Sequence, residues 1–159
     1  MFKDGVIGDV IVNDLRRFTD PRGWLVEIFR NDELDDGLQP VMGYISMTEK
    51  GVVRGPHEHV DQADLFCFLG PSTFRVYLWD NRSSSPTFRV RQIITAGVDE
   101  PKSIIIPKGV VHAYKNVGDG PGMVVNCPNR LYAGEGKKQP VDEIRHEDDP
   151  DTVFSIEGI

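Results

Sequence analysis

Apolar residues along the chain come in short runs rich in Val, Ile, Phe and Tyr, and residues that favour turns separate these runs. Turn signals between the runs include DPRG, DNRSSSP and GDGPG. No segment shows a sustained helical period, and NDELDDG could form at most one polar turn. The pattern therefore predicts about ten strands, at positions 6–12, 24–29, 43–47, 52–59, 64–68, 73–79, 88–94, 103–106, 112–116 and 122–126. So many short strands predict a sandwich or a closed barrel, because open strand edges invite unwanted pairing.

The length and the net charge predict a single acidic domain. The chain has 159 residues, which is enough for a single domain with a real core, and we expect one domain over 1–159. It carries 25 acidic and 18 basic residues, a net charge of −7. Nucleic acid and anionic membranes are therefore disfavoured as partners, whereas a small ligand held by a few local arginines fits.

The cysteine pattern and the N-terminal stretch predict the cellular compartment of the protein. Cys67 and Cys127 form no Cys-x-x-Cys pair and no disulfide framework, which favours a reduced, cytoplasmic setting. The opening stretch MFKDGVIGDVIVND lacks the basic and apolar regions of a signal peptide. We therefore expect a soluble, unexported protein.

Histidine placement is the most informative chemical feature. The chain has four histidines, and three of them lie in the two short motifs RGPHEH and IPKGVVHAYKN. His57 and His59 are two positions apart, so on a strand they share a face, and an inward face would direct both into a barrel mouth. Asp64 follows five residues after His59. The cluster is compatible with a metal site, a proton-transfer site or a polar strand face.

The two histidine motifs resemble the paired motifs of the cupin superfamily, in which His-x-His and an acid precede Pro-x-Gly, His and Asn. In metal-binding cupins the positions equivalent to His57, His59, Asp64 and His112 are ligands. Neutral imidazoles and one carboxylate suit Fe, Mn, Ni or Zn. A metal-dependent enzyme is one alternative that this resemblance implies, although Asp64 is one methylene shorter than the usual glutamate.

A second resemblance covers most of the chain and concerns the dTDP-4-dehydrorhamnose 3,5-epimerase family. The segments similar to family motifs are FTDPRGWLVEIF, GVVRGPH, WDNRSSSPTF, IIIPKGVVHAY, LYAGEG and IRHEDDPDTVFSI. The resemblance implies an all-β double-stranded β-helix, the cupin jelly-roll barrel, with little helix. It also implies a homodimer in which the N-terminal strands, residues 1–30, are swapped onto the partner.

The resemblance further implies how the reaction proceeds. His57 would be the base that removes a proton alpha to the 4-keto group of a dTDP-4-keto-6-deoxyhexose, and Asp149 would orient its ring. If Tyr132 matches the second of two family tyrosines, Asn126 stands at the position of the family's acid. Asparagine cannot deliver a proton, but it can donate a hydrogen bond to an enolate oxygen. Tyr44 is a candidate to supply the phenol instead.

The remaining roles that the resemblance implies concern substrate binding. Arg22 and Arg54 would hold the diphosphate, because guanidinium groups match phosphate oxygens. Glu27 would contact the nucleoside, and His112 would line the sugar pocket. His59 completes the substrate site, and neither a metal nor a cofactor is needed in this interpretation.

Three functions stay open on sequence alone, since one barrel can host all of them. The first is a nucleotide-sugar epimerase or isomerase, including a 3,4-ketoisomerase, a group whose Arg-Gly-x-His-x-His motif is similar to RGPHEH. The second is the metal-dependent cupin enzyme. The third is a sugar-binding cupin without catalysis, because the family's acid tyrosine and a lysine near Asp64 are replaced.

Overall fold

The computed structural model describes residues 1–156 and contains short strands, four single-turn 3-10 helices and no α-helix within that range. The strands are β1 (Lys3–Asp4), β2 (Ile11–Asp14), β3 (Arg17–Asp20), β4 (Gly23–Val26), β5 (Tyr44–Thr48), β6 (Val53–Glu58), β7 (Asp64–Gly70), β8 (Thr73–Asp80), β9 (Val90–Gly97), β10 (Lys102–Ile106), β11 (Val110–Asn116), β12 (Gly122–Asn126) and β13 (Ile144–Arg145). The 3-10 helices are Asn31–Glu33, Asp36–Leu38, Glu135–Lys137 and His146–Asp148. In this range, none of these helices has the length and apolar character needed to cross a membrane.

Two sheets form opposite walls of a barrel. One has six strands in the order β1-β9-β8-β11-β6-β13, and the other has five in the order β2-β10-β7-β12-β5. Alternate side chains of both sheets point inward and form the main core, which includes Phe68, Phe74, Leu78 and Ile104, each fully buried. This core fills one part of the barrel interior, and polar side chains occupy the other.

The outward faces are also largely covered, which explains the continuous apolar runs in the central strands. On β8 the side chains of Tyr77 and Trp79 point away from the main core and pack with Phe154 of the C-terminal segment. On β7 the outward Leu65 and Cys67 pack against side chains of the 28–38 segment. Strands buried on both faces lose the simple apolar-polar alternation.

The predicted strands agree with the observed ones through the body of the barrel. The main differences lie near the N-terminus, and the two-residue strand β13 near the other end was not predicted either. The run 6–12 was predicted as one strand, but β2 begins at Ile11, and Ile7 instead enters the core as a loop residue that is 1% exposed. Similarly, β4 ends at Val26 rather than continuing to position 29. An apolar residue buried from a loop and an apolar residue of a strand give the same signal in the sequence. This explains why both predicted strands were too long.

The N-terminal residues divide into two parts. Strands β1 and β2 pair with β9 and β10 of the same chain, so they belong to this chain's own sheets. Strands β3 and β4 pair only with each other and form a separate hairpin, 17–26. Of the N-terminal residues expected to cross to a partner, this hairpin is the part that stands outside the barrel.

Candidate active site

A cavity of about 1250 Å³ opens between the two sheets at the polar end of the barrel. Its lining includes His57, His59 and Arg54 from the six-stranded wall and Tyr44 from the five-stranded wall. Arg130, Tyr132, Glu143, Arg145 and Glu147 contribute from the loops and the C-terminal segment. The volume is somewhat above the roughly 300 to 1,000 Å³ that is typical of drug-sized ligand sites, so it has room for a larger molecule.

A β-bulge brings Arg54 and His57 to the same wall of this cavity. His57 pairs with His112 and Arg54 pairs with Tyr114, so three steps along β6 match two steps along β11. Residues three apart on a regular strand face opposite sides, and the extra residue corrects this. Gly55 occupies the bulge with φ of +83°, and a Cβ there would lie 2.5 Å from the His112 carbonyl oxygen. The glycine of RGPH is thus required by backbone geometry.

His59 contacts two acceptor oxygens and also the amide of Gln62, whose Nε2 lies 3.3 Å from His59 Nε2. Its Nδ1 faces the backbone carbonyl of Asp142, and its Nε2 lies 3.0 Å from Oδ2 of Asp64. The carbonyl and the carboxylate are both acceptors, which favours the protonated ring with both nitrogens donating. Burial would lower the pKa of His59, but the hydrogen bond to the Asp64 carboxylate and its charge raise that pKa above its ordinary value.

Asp64 is the buried counter-charge at the base of the site, with 2% of its surface exposed. Its Oδ1 accepts hydrogen bonds of 2.9 Å from the Gln62 and Asn126 amides. Its Oδ2 lies 3.0 Å from His59 Nε2 and 3.3 Å from His112 Nε2. Burial would raise the pKa of Asp64, but the contacts with His112 and His59 hold it well below its ordinary value. Asp64 therefore accepts hydrogen bonds and has no proton to give.

His57 differs from His59 because its surroundings favour the neutral imidazole. Burial, together with the neighbouring His112 and His59 rings, lowers the pKa of His57 to about 2. Its Nδ1 is buried without a hydrogen-bond partner and lies 3.9 Å from carboxylate oxygens of both Glu143 and Glu147. A neutral imidazole that faces two carboxylates can accept a proton and have the resulting charge stabilised.

The structure does not bring Asp149 to His57. Asp149 is exposed, and its Oδ1 accepts a hydrogen bond from the backbone N–H of Asp151. Among residues 1–156, the carboxylates within 4.0 Å of His57 are those of Glu143 and Glu147. The reason is the placement of β13, whose pairing Arg145↔His57 puts the flanking glutamates beside the ring and carries Asp149 past it.

The other predicted site residues fall into three groups. Arg54 and Tyr132 line the cavity as expected, and the Arg54 guanidinium is fixed by bonds from Nε to Thr48 Oγ1 (2.9 Å) and from Nη2 to the Met47 carbonyl (2.8 Å). His112 and Asn126 are 2% and 1% exposed, so they lie beneath the lining and position other groups. Arg22 and Glu27 are outside the cavity, on the exposed hairpin and just after it.

Sequence reasoning missed four residues that shape the site: Gln62, Asp142, Glu143 and Glu147. Asp142 accepts backbone hydrogen bonds from residues 60, 61 and 62 and so holds the loop that follows His59. Three of the four lie in the acidic stretch DEIRHEDDPD, and acidic runs of this kind are usually solvated surface segments. The pairing of β13 with β6 creates their role, and a two-residue strand leaves no periodic signal.

Comparison with known proteins identifies the family of this chain. A family model described as dTDP-4-dehydrorhamnose 3,5-epimerase matches residues 5–150. The chain belongs to this family. The expectations of an isomerase and of a nucleotide-sugar epimerase are thereby confirmed at family level.

Two relatives show how much of the chain is shared with known proteins. The probable low-salt glycan biosynthesis epimerase Agl13 of Haloferax volcanii is 41% identical over 128 residues, covering 79% of this chain and 81% of that protein. The spore coat polysaccharide biosynthesis protein SpsL of Bacillus subtilis is 32% identical over 150 residues, covering 93% of this chain and 94% of that protein.

Solved structures confirm the fold expected for the family, a cupin-like jelly roll. A dTDP sugar isomerase from Desulfovibrio desulfuricans G20 superposes with a TM-score of 0.76 at 23% identity, covering 87% of this chain and 84% of that one. ChmJ, a 3'-monoepimerase from Streptomyces bikiniensis, superposes with a TM-score of 0.74 at 20% identity, covering 91% and 72%.

Proposed function

We propose that this family member epimerises a dTDP-4-keto-6-deoxyhexose by removing a proton alpha to the carbonyl, with His57 as the base. The observation that carries the proposal is the position of His57, whose ring lines the cavity beside two carboxylates. Its lowered pKa favours the neutral imidazole, and its Nδ1 lies 3.9 Å from carboxylate oxygens of Glu143 and Glu147. When Nε2 takes the substrate proton, the Nδ1 proton faces Glu143 and Glu147, which stabilise the imidazolium.

Proton removal leaves an enolate, whose negative charge needs a fixed positive group nearby. The His59 imidazolium supplies this charge from the same wall, and Asp64 keeps it protonated. Both nitrogens of His59 are already bonded, so the ring acts through its charge rather than through a hydrogen bond to the substrate. Such preorganised charge is a large contributor to enolate stabilisation.

The diphosphate is proposed to bind at the arginines of the cavity rim. Arg54 is held with its guanidinium plane fixed, and Arg130 lines the cavity while contacting Asp61 at 2.8 Å. Guanidinium groups suit phosphate oxygens because they donate two parallel hydrogen bonds. Arg22 is proposed to reach the diphosphate only in a dimer, from the partner's hairpin.

A metal centre is the second candidate, because ring nitrogens of His57, His59 and His112 all lie within 4.8 Å of one another. Each ligand must offer an unprotonated nitrogen. His57 does so, but both nitrogens of His59 donate to acceptors. The donor set as arranged does not fit a three-histidine metal centre, and no step of the mechanism uses one.

The proposal is tested by incubating untagged protein with dTDP-4-keto-6-deoxyglucose in D₂O and following the sugar by NMR. We expect deuterium to enter at C3 or C5 with formation of an epimer, in protein whose metal content by elemental analysis is far below one ion per chain. Calorimetric binding without exchange would indicate a sugar-binding cupin. Exchange that follows a stoichiometric metal and stops with a chelator would favour the metal enzyme.

We propose that the protein is a homodimer in which hairpin 17–26 docks on the second copy. The hairpin exposes Phe18, Trp24 and Leu25 at 51%, 55% and 64%, although it lies outside the barrel core. Phe18 and Leu25 are cross-strand partners on one face of the hairpin and Trp24 is on the other, and exposed apolar residues of this kind are typical of an interface. Outward residues of the edge strand β5, Ile45 and Met47, are exposed at 64% and 52% and offer a matching apolar surface.

Trp24→Asp is accordingly expected to shift the protein from dimer to monomer, because a charge would be buried in an apolar interface. Light scattering coupled to gel filtration measures the change. Val153→Asp, at a residue 69% exposed and away from the hairpin, is the control and should leave the dimer intact. A wild-type monomer, or a Trp24→Asp dimer, would contradict the proposal.

A further inference from the structure

Inversion at a carbon requires a proton donor on the face opposite the base. His57 belongs to β6 in the six-stranded wall, so a donor on the five-stranded wall would face it across the cavity. Three side chains of that wall with a carboxyl or hydroxyl group, Asp64, Ser46 and Tyr44, lie at this end of the barrel beside Asn126. Asp64 is ionised and buried, and it only accepts hydrogen bonds. Ser46 bonds to Tyr114 at 3.0 Å, and an aliphatic hydroxyl is a much weaker acid than a phenol.

Tyr44 is held in position by its cross-strand neighbour. It pairs in register with Asn126 of β12, and Asn126 Nδ2 donates a 2.9 Å hydrogen bond to the phenol oxygen. The same Nδ2 donates to Oδ1 of the Asp64 carboxylate at 2.9 Å, and a carboxylate without a proton can only accept. The orientation of the amide is therefore determined by Asp64. Since the phenol oxygen accepts from Asn126, its own proton is free to point into the cavity.

We propose that Tyr44 is the catalytic proton donor that completes epimerisation on the face opposite His57. This assignment rests on the proposed function and adds the second half of its chemistry. The Tyr44 O–H bond breaks, and the electron pair of the enolate forms a new C–H bond at the alpha carbon while the C=O bond is restored. Water that enters the open cavity then takes the proton from His57 and returns one to the Tyr44 phenolate.

The electrostatics of Tyr44 support this role. Burial, with smaller contributions from the charges of Asp64 and Glu143, raises the pKa of Tyr44 to about 12, so the phenol stays protonated at neutral pH. The hydrogen bond from Asn126 acts in the opposite direction and stabilises the phenolate left after transfer. The Glu143 carboxylate, whose charge acts on Tyr44, also lies 3.9 Å from His57 Nδ1. Tyr44 and His57 therefore flank the same part of the cavity.

Tyr44→Phe separates the two half-reactions. His57 still removes the proton and can return a deuteron to the same face, so exchange continues while inversion stops. With dTDP-4-keto-6-deoxyglucose in D₂O, we expect the ratio of epimer formation to deuterium exchange to fall by about 100-fold or more. A smaller fall would overturn the assignment. The ratio is measured within one sample, so it does not depend on the fraction of the variant that is folded.

Tyr77→Phe is the matched control, because it removes the same hydroxyl from the buried outer cluster with Trp79 and Phe154. Its ratio should equal that of the wild type. A wild-type protein that shows neither exchange nor epimer would overturn the proposed function and this assignment with it. A variant that keeps both rates would overturn the role of Tyr44 alone, so the two failures are distinguishable.

Discussion

His57→Asn is expected to lower both deuterium exchange and epimer formation by about 1000-fold, because both start with the proton that His57 removes. Asparagine keeps a polar side chain of similar reach, but its amide cannot accept a proton near neutral pH. The loss of both activities distinguishes this variant from Tyr44→Phe, in which exchange survives. NMR of the sugar in D₂O measures the two rates together.

Binding of dTDP provides the control for His57→Asn. The diphosphate is proposed to meet Arg54 and Arg130 rather than the imidazole, so calorimetry should give the same affinity for dTDP as in the wild type. An exchange rate that stays within tenfold of the wild type would contradict His57 as the base. A parallel loss of dTDP binding would mean that the substitution disturbs the whole site.

A companion pair of variants identifies the carboxylate that orients His57. Glu147 Oε2 is buried without a hydrogen-bond partner, and its Oε1 lies 3.9 Å from the ring, whereas Asp149 is exposed. We therefore expect Glu147→Gln to lower the exchange rate and alter its pH profile more than Asp149→Asn does. A larger effect of Asp149→Asn would instead support Asp149 as the residue that orients His57.

Asp64→Asn is expected to destabilise the protein by about 3 to 5 kcal/mol, the usual cost of leaving one member of a buried charge pair uncompensated. The carboxylate faces His59 Nε2 at 3.0 Å, and an amide there would present either a neutral oxygen or a second donor to the imidazolium. Urea unfolding measures the change. Asp61→Asn, at an exposed ion pair with Arg130, is the matched control and should have little effect.

The pH dependence of unfolding gives a second test of the same pair. The folded pKa of Asp64 is lowered, so its contribution is present above its unfolded value of about 3.9 and is lost as pH falls. The folded pKa of His59 is raised, so its contribution is present below about 6.5 and is lost as pH rises through the folded value. Stabilisation by the pair is therefore greatest between about pH 4 and 6.5. The loss above that range should disappear in Asp64→Asn, and its persistence would contradict the pair.

The sequence predicted the site well where the information was local. His57 and His59 were expected to share an inward face because they are two positions apart, and both line the cavity. Arg54 is three positions from His57, and only the bulge at Gly55 places it on the same wall. Its partner on β11 is some sixty residues away in the chain, so the bulge depends on a pairing that local patterns do not record.

The apolar pattern and turn spacing by themselves predicted an all-β sandwich or closed barrel, and the ordered motifs indicated the barrel and the family. Which carboxylate faces which histidine was decided only by the tertiary structure. Asp64 reaches His59 because β7 lies opposite β6, and Glu147 rather than Asp149 reaches His57 because of the register of β13. Tyr44 likewise meets Asn126 through strand pairing alone. A shift of one residue in register turns a side chain to the other face, so these contacts follow from packing of the whole barrel.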